Sequence, residues 1–394
     1  MFFGRYRSKY APTPLESQLC TFFREETSLF APAKSRHFQS TTRVAVTTAR
    51  DEGATECLIA NYNRPLGNWT RFEREDDVAK DMKIWEAGMA TSAAPIYLPP
   101  FIKRPGNADY VDGAVYANCP AKVAKEEMDK LWPNEGTSLD ILLSLGTGHQ
   151  SKKKPKILKA IRYGFFLPIF HMFERQLDNE RTWDDLVSNS SAIVKARLHR
   201  LNPDIQGQSG GYVDIDHYKE LQHLFGSAHT WTEGSGAAHI RSISRMLIAN
   251  LFFFEPEPEN LPQEGETFCG SVRCRLQHES EALRALLEDK VTGFWHATVT
   301  KSEVPELGRL ANNRWRLIKD NSRNRPAQMI VQDGSTKKFQ LKFQLQPSIP
   351  GAPSGPLYQV LAVQLVGESE KIAISGFPAL LVELNDRSKA KWLQ

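Results

Sequence analysis

Two short runs of apolar and β-branched residues near residue 50 predict two strands. The segments RVAVTT (43–48) and ECLIA (56–60) are rich in apolar and β-branched residues, and Asp51 and Gly53 stand between them. Runs of this kind, bounded by turn residues, are typical of β-strands. The pattern therefore predicts a hairpin or a sheet edge.

Apolar residues then recur with helical spacing. Asp76 or Asp77 is placed to cap a helix that ends before Pro95. Its predicted core-facing residues are Val78, Met82, Trp85 and Met89. We therefore predict a helix with one buried face over this segment.

A strand, a helix and another strand are predicted next. ADYVDGAV (108–115) indicates a strand that ends in a glycine turn, and Asn118 is expected to cap the following helix. The predicted inner residues of that helix are Ala121, Ala124, Met128 and Leu131. LDILLSLGTG (139–148) is a continuous apolar run, typical of a strand buried on both faces. This alternation predicts an α/β sheet with crossover helices.

The period of the apolar positions changes to two near the C-terminus. Val272, Cys274 and Leu276 alternate with polar residues, and a stretch rich in Pro and Glu, EPEPENLPQEGE (255–266), precedes them. Period two indicates strands, and the Pro/Glu stretch indicates a boundary. We predict three parts, an α/β domain at 1–255, a linker at 256–268 and a smaller β-rich domain at 269–394.

Composition excludes several classes of protein. With 50 basic and 46 acidic residues among 394, the net charge does not indicate a nucleic-acid partner. The five cysteines show no C-x-x-C spacing, which argues against a disulfide scaffold or a zinc site and favours a reducing, cytoplasmic setting. The sequence contains no run of about 18 apolar residues, so no membrane-spanning helix is predicted.

Residues 152–170 combine basic side chains with an apolar block. Six Lys or Arg residues lie between Lys152 and Arg162, and the block runs from Tyr163 to Phe170. One interpretation is peripheral contact with an anionic membrane surface. The other, which we favour, is a solvated basic loop leading into an ordinary helix, since Pro168 interrupts the pattern.

The segment GQSGG (207–211) fits the G-x-S-x-G spacing of a nucleophile elbow, which would make Ser209 a catalytic serine. An elbow needs a buried strand before it and a helix directly after it. The segment before it is polar and contains Pro203, and a loop follows it. We therefore interpret 207–211 as a glycine-rich loop.

Two other residues are candidates for chemistry. Asp112 ends a predicted buried strand and is followed by Gly113, which would fix a carboxylate on a rigid element facing a cleft. An isolated Asp-Gly pair is more often a simple turn. Ser92 lies among small residues in ATSAAP (90–95), and we assign it a structural role at a helix end.

Several segments together resemble patatin-like phospholipase domains, especially fungal forms. They are YNRP (62–65), FEREDD (72–77), KIWEAGMATSAAP (83–95), YVDGAVYANCP (110–120) and ILLSLGTG (141–148). The resemblance covers residues 1–250 as a framework and implies a three-layer domain of sheet and helices. It does not account for the C-terminal β-rich part.

The resemblance implies a serine and aspartate pair that hydrolyses lipid esters. In that family the aspartate lies in a D-G-A/G motif, which here is Asp112, Gly113 and Ala114. Cys119 stands where many relatives have a second Asn. The mechanism uses no metal or other cofactor.

In that family the glycine-rich oxyanion loop and the G-x-S-x-G serine precede the segment that resembles FFGRY (2–6). Neither is found here, so we expect a domain that lacks its front part and its nucleophile. Ser209 follows Asp112 by 97 positions, which is the wrong order for the family.

Three functions remain open from the sequence. The first is a lipid acyl hydrolase with a phospholipid or other lipid ester as substrate, inactive as this isolated chain. The second is a catalytically inactive protein with a lipid-binding or regulatory role. The third is an interaction module in which residues 265–394 act alone.

Overall fold

The computed structural model describes most of the chain in twelve ranges. They are residues 8–29, 42–62, 72–74, 82–104, 108–131, 139–149, 179–205, 216–256, 268–276, 280–318, 341–345 and 357–380. The chain divides into two compact units. Unit 1 comprises 1–133, 149–189 and 206–216, and unit 2 comprises 134–148, 190–205 and 217–394.

Unit 1 contains a five-stranded sheet and several helices. Its elements are α1 (Thr13–Phe23), β1 (Ala45–Arg50), β2 (Thr55–Ala60), β3 (Glu73–Arg74), α2 (Ile84–Thr91), β4 (Phe101–Lys103), β5 (Ala108–Asp112), α3 (Ala114–Ala117), α4 (Ala121–Leu131) and α5 (Asn179–Ser188). The strand order is β3-β2-β1-β5-β4.

The predicted hairpin is present in unit 1. β1 and β2 pair antiparallel, with Ala45 opposite Ala60 and Arg50 opposite Thr55. A 3₁₀ turn at Asp51–Gly53 joins them. A connection this short allows only antiparallel pairing. Three of the four strand pairings in this sheet are antiparallel, and only β2 and β3 run parallel, so the crossover arrangement predicted from the sequence is wrong for this sheet.

The predicted helix ending before Pro95 begins later than expected. α2 starts at Ile84, and the N–H group of Lys83 donates a hydrogen bond of 2.9 Å to the Glu86 carboxylate. This carboxylate therefore satisfies the backbone at the helix start. Asp76 and Asp77, the predicted caps, lie outside the described residues.

Helices pack on both faces of the unit 1 sheet. On one face, Ala87 and Ala90 of α2 pack with Cys57 and Ile59 of β2 and with Tyr110 of β5. On the other face, α3 and α4 cover the alternate strand residues. The side chains of this second layer are Ala49, Leu58, Val111, Val115, Ala117 and Val123.

The buried side of α4 agrees only in part with the predicted one, since Ala121 is buried as predicted but other residues differ. Val123 and Glu127 are buried, whereas Ala124 is exposed. The hydroxyl of Tyr62 donates a hydrogen bond of 3.1 Å to the Glu127 carboxylate. A buried carboxylate is tolerated when it accepts hydrogen bonds of this kind, and the hydrophobic pattern did not reveal this possibility.

Unit 2 is richer in strands. Its elements are β6 (Leu142–Leu145), α6 (Ala192–Lys195), β7 (Leu198–Leu201), a 3₁₀ turn (Tyr218–Glu220), α7 (Leu221–Glu233), α8 (Ala237–Ala249), β8 (Phe252–Pro256), β9 (Phe268–Cys274), α9 (Glu281–Ala285), a π-helical turn (Leu286–Lys290), β10 (Val291–Thr300), 3₁₀ turns (Val304–Arg309 and Asn312–Arg314), β11 (Arg316–Leu317), β12 (Leu341–Leu345), β13 (Leu357–Leu365), β14 (Lys371–Ala373) and β15 (Ala379–Leu380).

The described strands of unit 2 form three sheets. β6 and β7 pair parallel, β12-β9-β8 form a second sheet, and β11-β10-β13-β14 form a third in which β15 also pairs with β13. The long strands β10 and β13 are buried on both faces, with Phe294 and Leu361 on one face and Val299 and Val360 on the other.

The Pro/Glu stretch connects two strands of one sheet. β8 and β9 on either side of it pair antiparallel, with Phe252 opposite Cys274. Phe252 also packs against Phe294 in the same core cluster, with the ring centroids 5.1 Å apart. Residues before and after 256–268 therefore share one core. The division into domains at 1–255 and 269–394 stays a prediction.

The run LDILLSLGTG is less buried than predicted. Leu142 of β6 is buried, but the side chain of Leu145 is 69% exposed. Among the described strands β6 pairs only with β7.

Candidate active site

Asp112 is the last residue of β5, and its backbone is held on two sides. In the sheet it lies opposite Thr48 of β1. Its N–H group donates a hydrogen bond of 3.0 Å to the carbonyl of Ala93, just beyond α2. The side chain is half-buried. Strand and helix together fix the position from which this carboxylate leaves the sheet.

One oxygen of the Asp112 carboxylate is engaged locally. Oδ1 accepts a hydrogen bond of 2.8 Å from the N–H group of Ala114. Within the described ranges Oδ2 has no hydrogen-bond partner. The side chain therefore has a fixed orientation and keeps one oxygen available to accept a proton from another group.

Burial raises the pKa of the Asp112 carboxyl above its ordinary value of 3.8, because desolvation disfavours the charged form. The hydrogen bond from the Ala114 N–H group acts in the opposite direction and is the smaller effect. A carboxylate with a raised pKa is a stronger base, which suits proton abstraction near neutral pH.

Gly113 lies against the backbone of β1. A Cβ atom at this position would lie 2.3 Å from both the carbonyl carbon and the carbonyl oxygen of Thr47. Its φ of −65° is one that any residue can adopt. The close approach of the two backbones, and not an unusual dihedral angle, is therefore what requires glycine after Asp112.

Threonine hydroxyls join the end of α2 to the strands beside Asp112. Oγ1 of buried Thr48 donates to the carbonyl of Val111 at 2.7 Å and lies 3.3 Å from the carbonyl of Ala90. Oγ1 of Thr91 donates to the carbonyl of Thr47 at 2.7 Å. The sequence analysis missed this set of contacts, and the only signal for it was threonine at the ends of predicted elements.

This part of the chain matches a known family. Residues 4–125 match the family model described as patatin-like phospholipase. The chain carries a patatin-like domain. Residues 267–389 match a second model, described as a domain of unknown function (DUF8392). Asp112, Gly113 and Ala114 lie inside the patatin-like match.

A curated relative supports the patatin-like domain over a short segment. Phospholipase A I of Arabidopsis thaliana is 41% identical to this chain over 66 residues. The aligned segment spans 17% of this chain and 5% of that protein.

Other predicted residues of the patatin-like domain have mixed outcomes. Ser92 follows the last turn of α2 and is half-buried, and its hydroxyl makes no hydrogen bond within the described ranges. Cys119 is buried, consistent with a packing role. Asn118 directly follows α3, and no hydrogen bond from its side chain to α4 is present in the described structure, so the predicted cap is wrong. The short helix α3, which was not predicted, occupies the place of the expected capping turn.

Several predictions fall outside the described residues. They include Ser209 with the whole GQSGG segment, and the basic and apolar segment 152–170. The resembling segment ILLSLGTG is described, but it belongs to unit 2, whereas Asp112 belongs to unit 1.

In the described ranges no group of three or more His, Cys, Asp or Glu side chains could hold a metal ion. None of the helices described is both long enough and apolar enough to cross a membrane.

Proposed function

We propose that the patatin-like domain provides the general base of a lipid acyl hydrolase, with Asp112 as that base and carboxylic esters of lipids as substrates. The observation that best supports this proposal is the geometry of Asp112. It ends a sheet strand, one oxygen is fixed by the Ala114 N–H group, and the other has no partner in the described structure. The family match and the Phospholipase A I relative support the choice of substrate class.

In the proposed reaction a serine hydroxyl attacks the carbonyl carbon of the ester, and Asp112 accepts the hydroxyl proton. The negative charge that develops on the carbonyl oxygen is stabilised by backbone N–H groups. Collapse of this intermediate breaks the ester bond, and the alcohol leaves with a proton from Asp112. Water then hydrolyses the acyl-serine, with Asp112 again acting as base.

The serine of this proposal belongs to a G-x-S-x-G segment, as the resemblance implies. Residues 1–111 contain no such pattern. The reaction needs both a positioned serine and the oxyanion donors. Loss of the donors alone raises the activation barrier for ester hydrolysis by about 3 to 4 kcal/mol. We therefore expect negligible turnover by the 394-residue chain alone.

Supplying the serine tests the proposal directly. A glycine loop and G-x-S-x-G segment from a patatin-like phospholipase would be fused ahead of Met1, and hydrolysis of a soluble fluorogenic ester measured. We expect Asp112→Asn to lower the rate of the active fusion by about 10²-fold to 10⁴-fold, the usual contribution of a general base.

Asp109→Asn is the matched control, because it makes the same change three residues earlier on β5. We expect it to keep the rate within about twofold. An active fusion that tolerates Asp112→Asn as well as Asp109→Asn would exclude Asp112 as the base.

The second candidate function is lipid binding without hydrolysis. Vesicle binding by the 394-residue chain, together with an inactive fusion in a demonstrably folded sample, would select this function over the first.

A further inference from the structure

Three large, mostly apolar side chains are exposed to solvent on α7 and on the 3₁₀ turn before it. Tyr218, Leu221 and Phe225 are 71%, 56% and 79% exposed. Their spacing of three and four residues places them on the same side of the helix and of the 3₁₀ turn before it. We call these three residues the apolar strip.

The C-terminal end of α7 packs against the turn that leads into α8. A Cβ atom on Gly236 would lie 2.7 Å from the ring of Trp231, so the ring packs directly on that backbone. The N–H group of Gly236 also donates a hydrogen bond of 2.8 Å to the carbonyl of Trp231. Trp231 is therefore in contact with this turn, whereas the strip residues are exposed.

The strip is small compared with a protein interface. Three side chains of this size expose on the order of 400 Å², whereas a stable protein complex buries about 800 Å² on each partner. None of the three strip residues is charged. Exposed aromatic and aliphatic side chains on a surface helix are the kind that a lipid interface buries at the boundary of headgroups and acyl chains.

We propose that the apolar strip is a docking surface for a phospholipid bilayer. This inference rests on the proposed function, because a hydrolase of lipid esters has to meet its substrate in an aggregate. Phe225 and Leu221 insert among the acyl chains near the headgroups, and Tyr218 lies at the polar boundary. Binding depends on burial of apolar surface and little on lipid charge.

Co-sedimentation of the purified 394-residue chain with phosphatidylcholine vesicles tests this surface. We expect the double variant Leu221→Gln/Phe225→Gln to lower the partition coefficient about tenfold or more, since it removes most of the apolar area available for insertion. Both side chains are exposed, so circular dichroism should show an unchanged fold.

Phe22→Gln is the matched control, because Phe22 of α1 is 80% exposed and lies in unit 1. We expect this variant to bind vesicles like the unsubstituted chain. Equal losses from Phe22→Gln and from the double variant would overturn the assignment of docking to α7.

A second variant reports insertion without removing apolar surface. Phe225→Trp should show more fluorescence quenching by vesicles of brominated phosphatidylcholine than the unsubstituted chain does. No additional quenching would contradict insertion of the strip.

Two further outcomes would contradict bilayer docking by the apolar strip. Vesicle binding that requires about 30% phosphatidylserine and survives the double variant would assign docking to basic residues instead. A dimer in size-exclusion chromatography that the double variant dissociates would assign the strip to a second copy of the chain. Because vesicle binding is measured without hydrolysis, an inactive fusion would refute the proposed function and leave the docking result intact.

Discussion

Burial of Asp112 makes its carboxylate a stronger base but lowers the stability of the folded protein when the carboxylate is charged. Burial raises the pKa of this carboxyl, so the charged form needed for proton abstraction is the form that the fold disfavours. A folded-state pKa above the unfolded value means that the folded protein binds the proton more tightly. Stability is therefore lost as pH rises from 3.8 through the folded-state pKa.

Asp112→Asn should remove this dependence. Asparagine keeps an oxygen that can accept the Ala114 hydrogen bond and carries no charge to desolvate. We expect the variant to have a higher free energy of unfolding than the unsubstituted chain at pH 7, and the difference to shrink as pH falls towards 3.8. Denaturant titrations at several pH values measure it; a difference that grows on acidification would contradict the assigned shift.

Gly113 provides a second test at the residue scale. Gly113→Ala would drive a methyl group into the Thr47 backbone, and we expect it to cost about 2 kcal/mol or more. Gly226→Ala is the control, because nothing lies within 4 Å of the added methyl in α7 and alanine favours helix by about 1 kcal/mol. Thermal unfolding compares them, and equal effects would exclude the close approach as the reason for glycine.

The candidate base was predictable from the sequence, but the contacts that hold the surrounding backbone in place were not. Asp112 stands in a short motif after an apolar strand, and local pattern is enough to find it. The contacts of Thr48, Thr91 and Gly113 join segments that are 42 to 66 residues apart in the chain. Only the folded structure brings these segments together, so no local pattern reveals them.

Among the secondary-structure elements, those with local signals were predicted best. The β1–β2 hairpin was confirmed because its turn residues lie between two short apolar runs. The start of α2 was misplaced, because Glu86 satisfies the helix start from inside the helix and no Asp cap is needed. The burial of β6 was overestimated, because an apolar run does not reveal how many strands will pair beside it.

Arg197 holds three separate parts of unit 2 together at the start of β7. Its guanidinium donates to the carbonyl of Leu139 at 2.6 Å and to the carbonyl of Phe377 at 2.9 Å. Nearby, Asp140 accepts hydrogen bonds from the Ser375 hydroxyl at 2.5 Å and from the Gly376 N–H group at 2.7 Å. Buried charged hydrogen bonds of this kind are costly to break from one side.

Arg197→Met should therefore destabilise unit 2 by about 3 kcal/mol, since two buried carbonyls lose a charged donor. Arg200→Met, on the same strand, removes a hydrogen bond of 2.7 Å to the Ser144 hydroxyl and should cost no more than about 1 kcal/mol. Urea unfolding followed by tryptophan fluorescence measures both losses. A milder effect for Arg197→Met than for Arg200→Met would refute the anchoring role.

Across the whole molecule, the C-terminal strands share their core with earlier segments. Phe252 and Ala249 pack in the same cluster as Phe294 and Leu361. Removing everything before residue 265 would expose this apolar surface and leave the partners of Asp140 and Arg197 unpaired. We therefore expect the C-terminal region to need segments that the sequence pattern assigned to another domain.

A fragment of residues 265–394 should accordingly fail to fold alone, whereas a fragment of residues 134–394 contains all of unit 2 and should fold. Amide dispersion in a two-dimensional NMR spectrum distinguishes the two outcomes. A well-dispersed spectrum from 265–394 would show that this region is an independent module, which was the third function left open by the sequence.

The central claim is that Asp112 serves a serine other than Ser209. Fluorophosphonate labelling of the purified, folded 394-residue chain, with the modified residue located by mass spectrometry, tests it most directly. We predict no labelling that depends on Asp112. Labelling at Ser209 that Asp112→Ala abolishes would contradict the claim and make GQSGG the nucleophile segment.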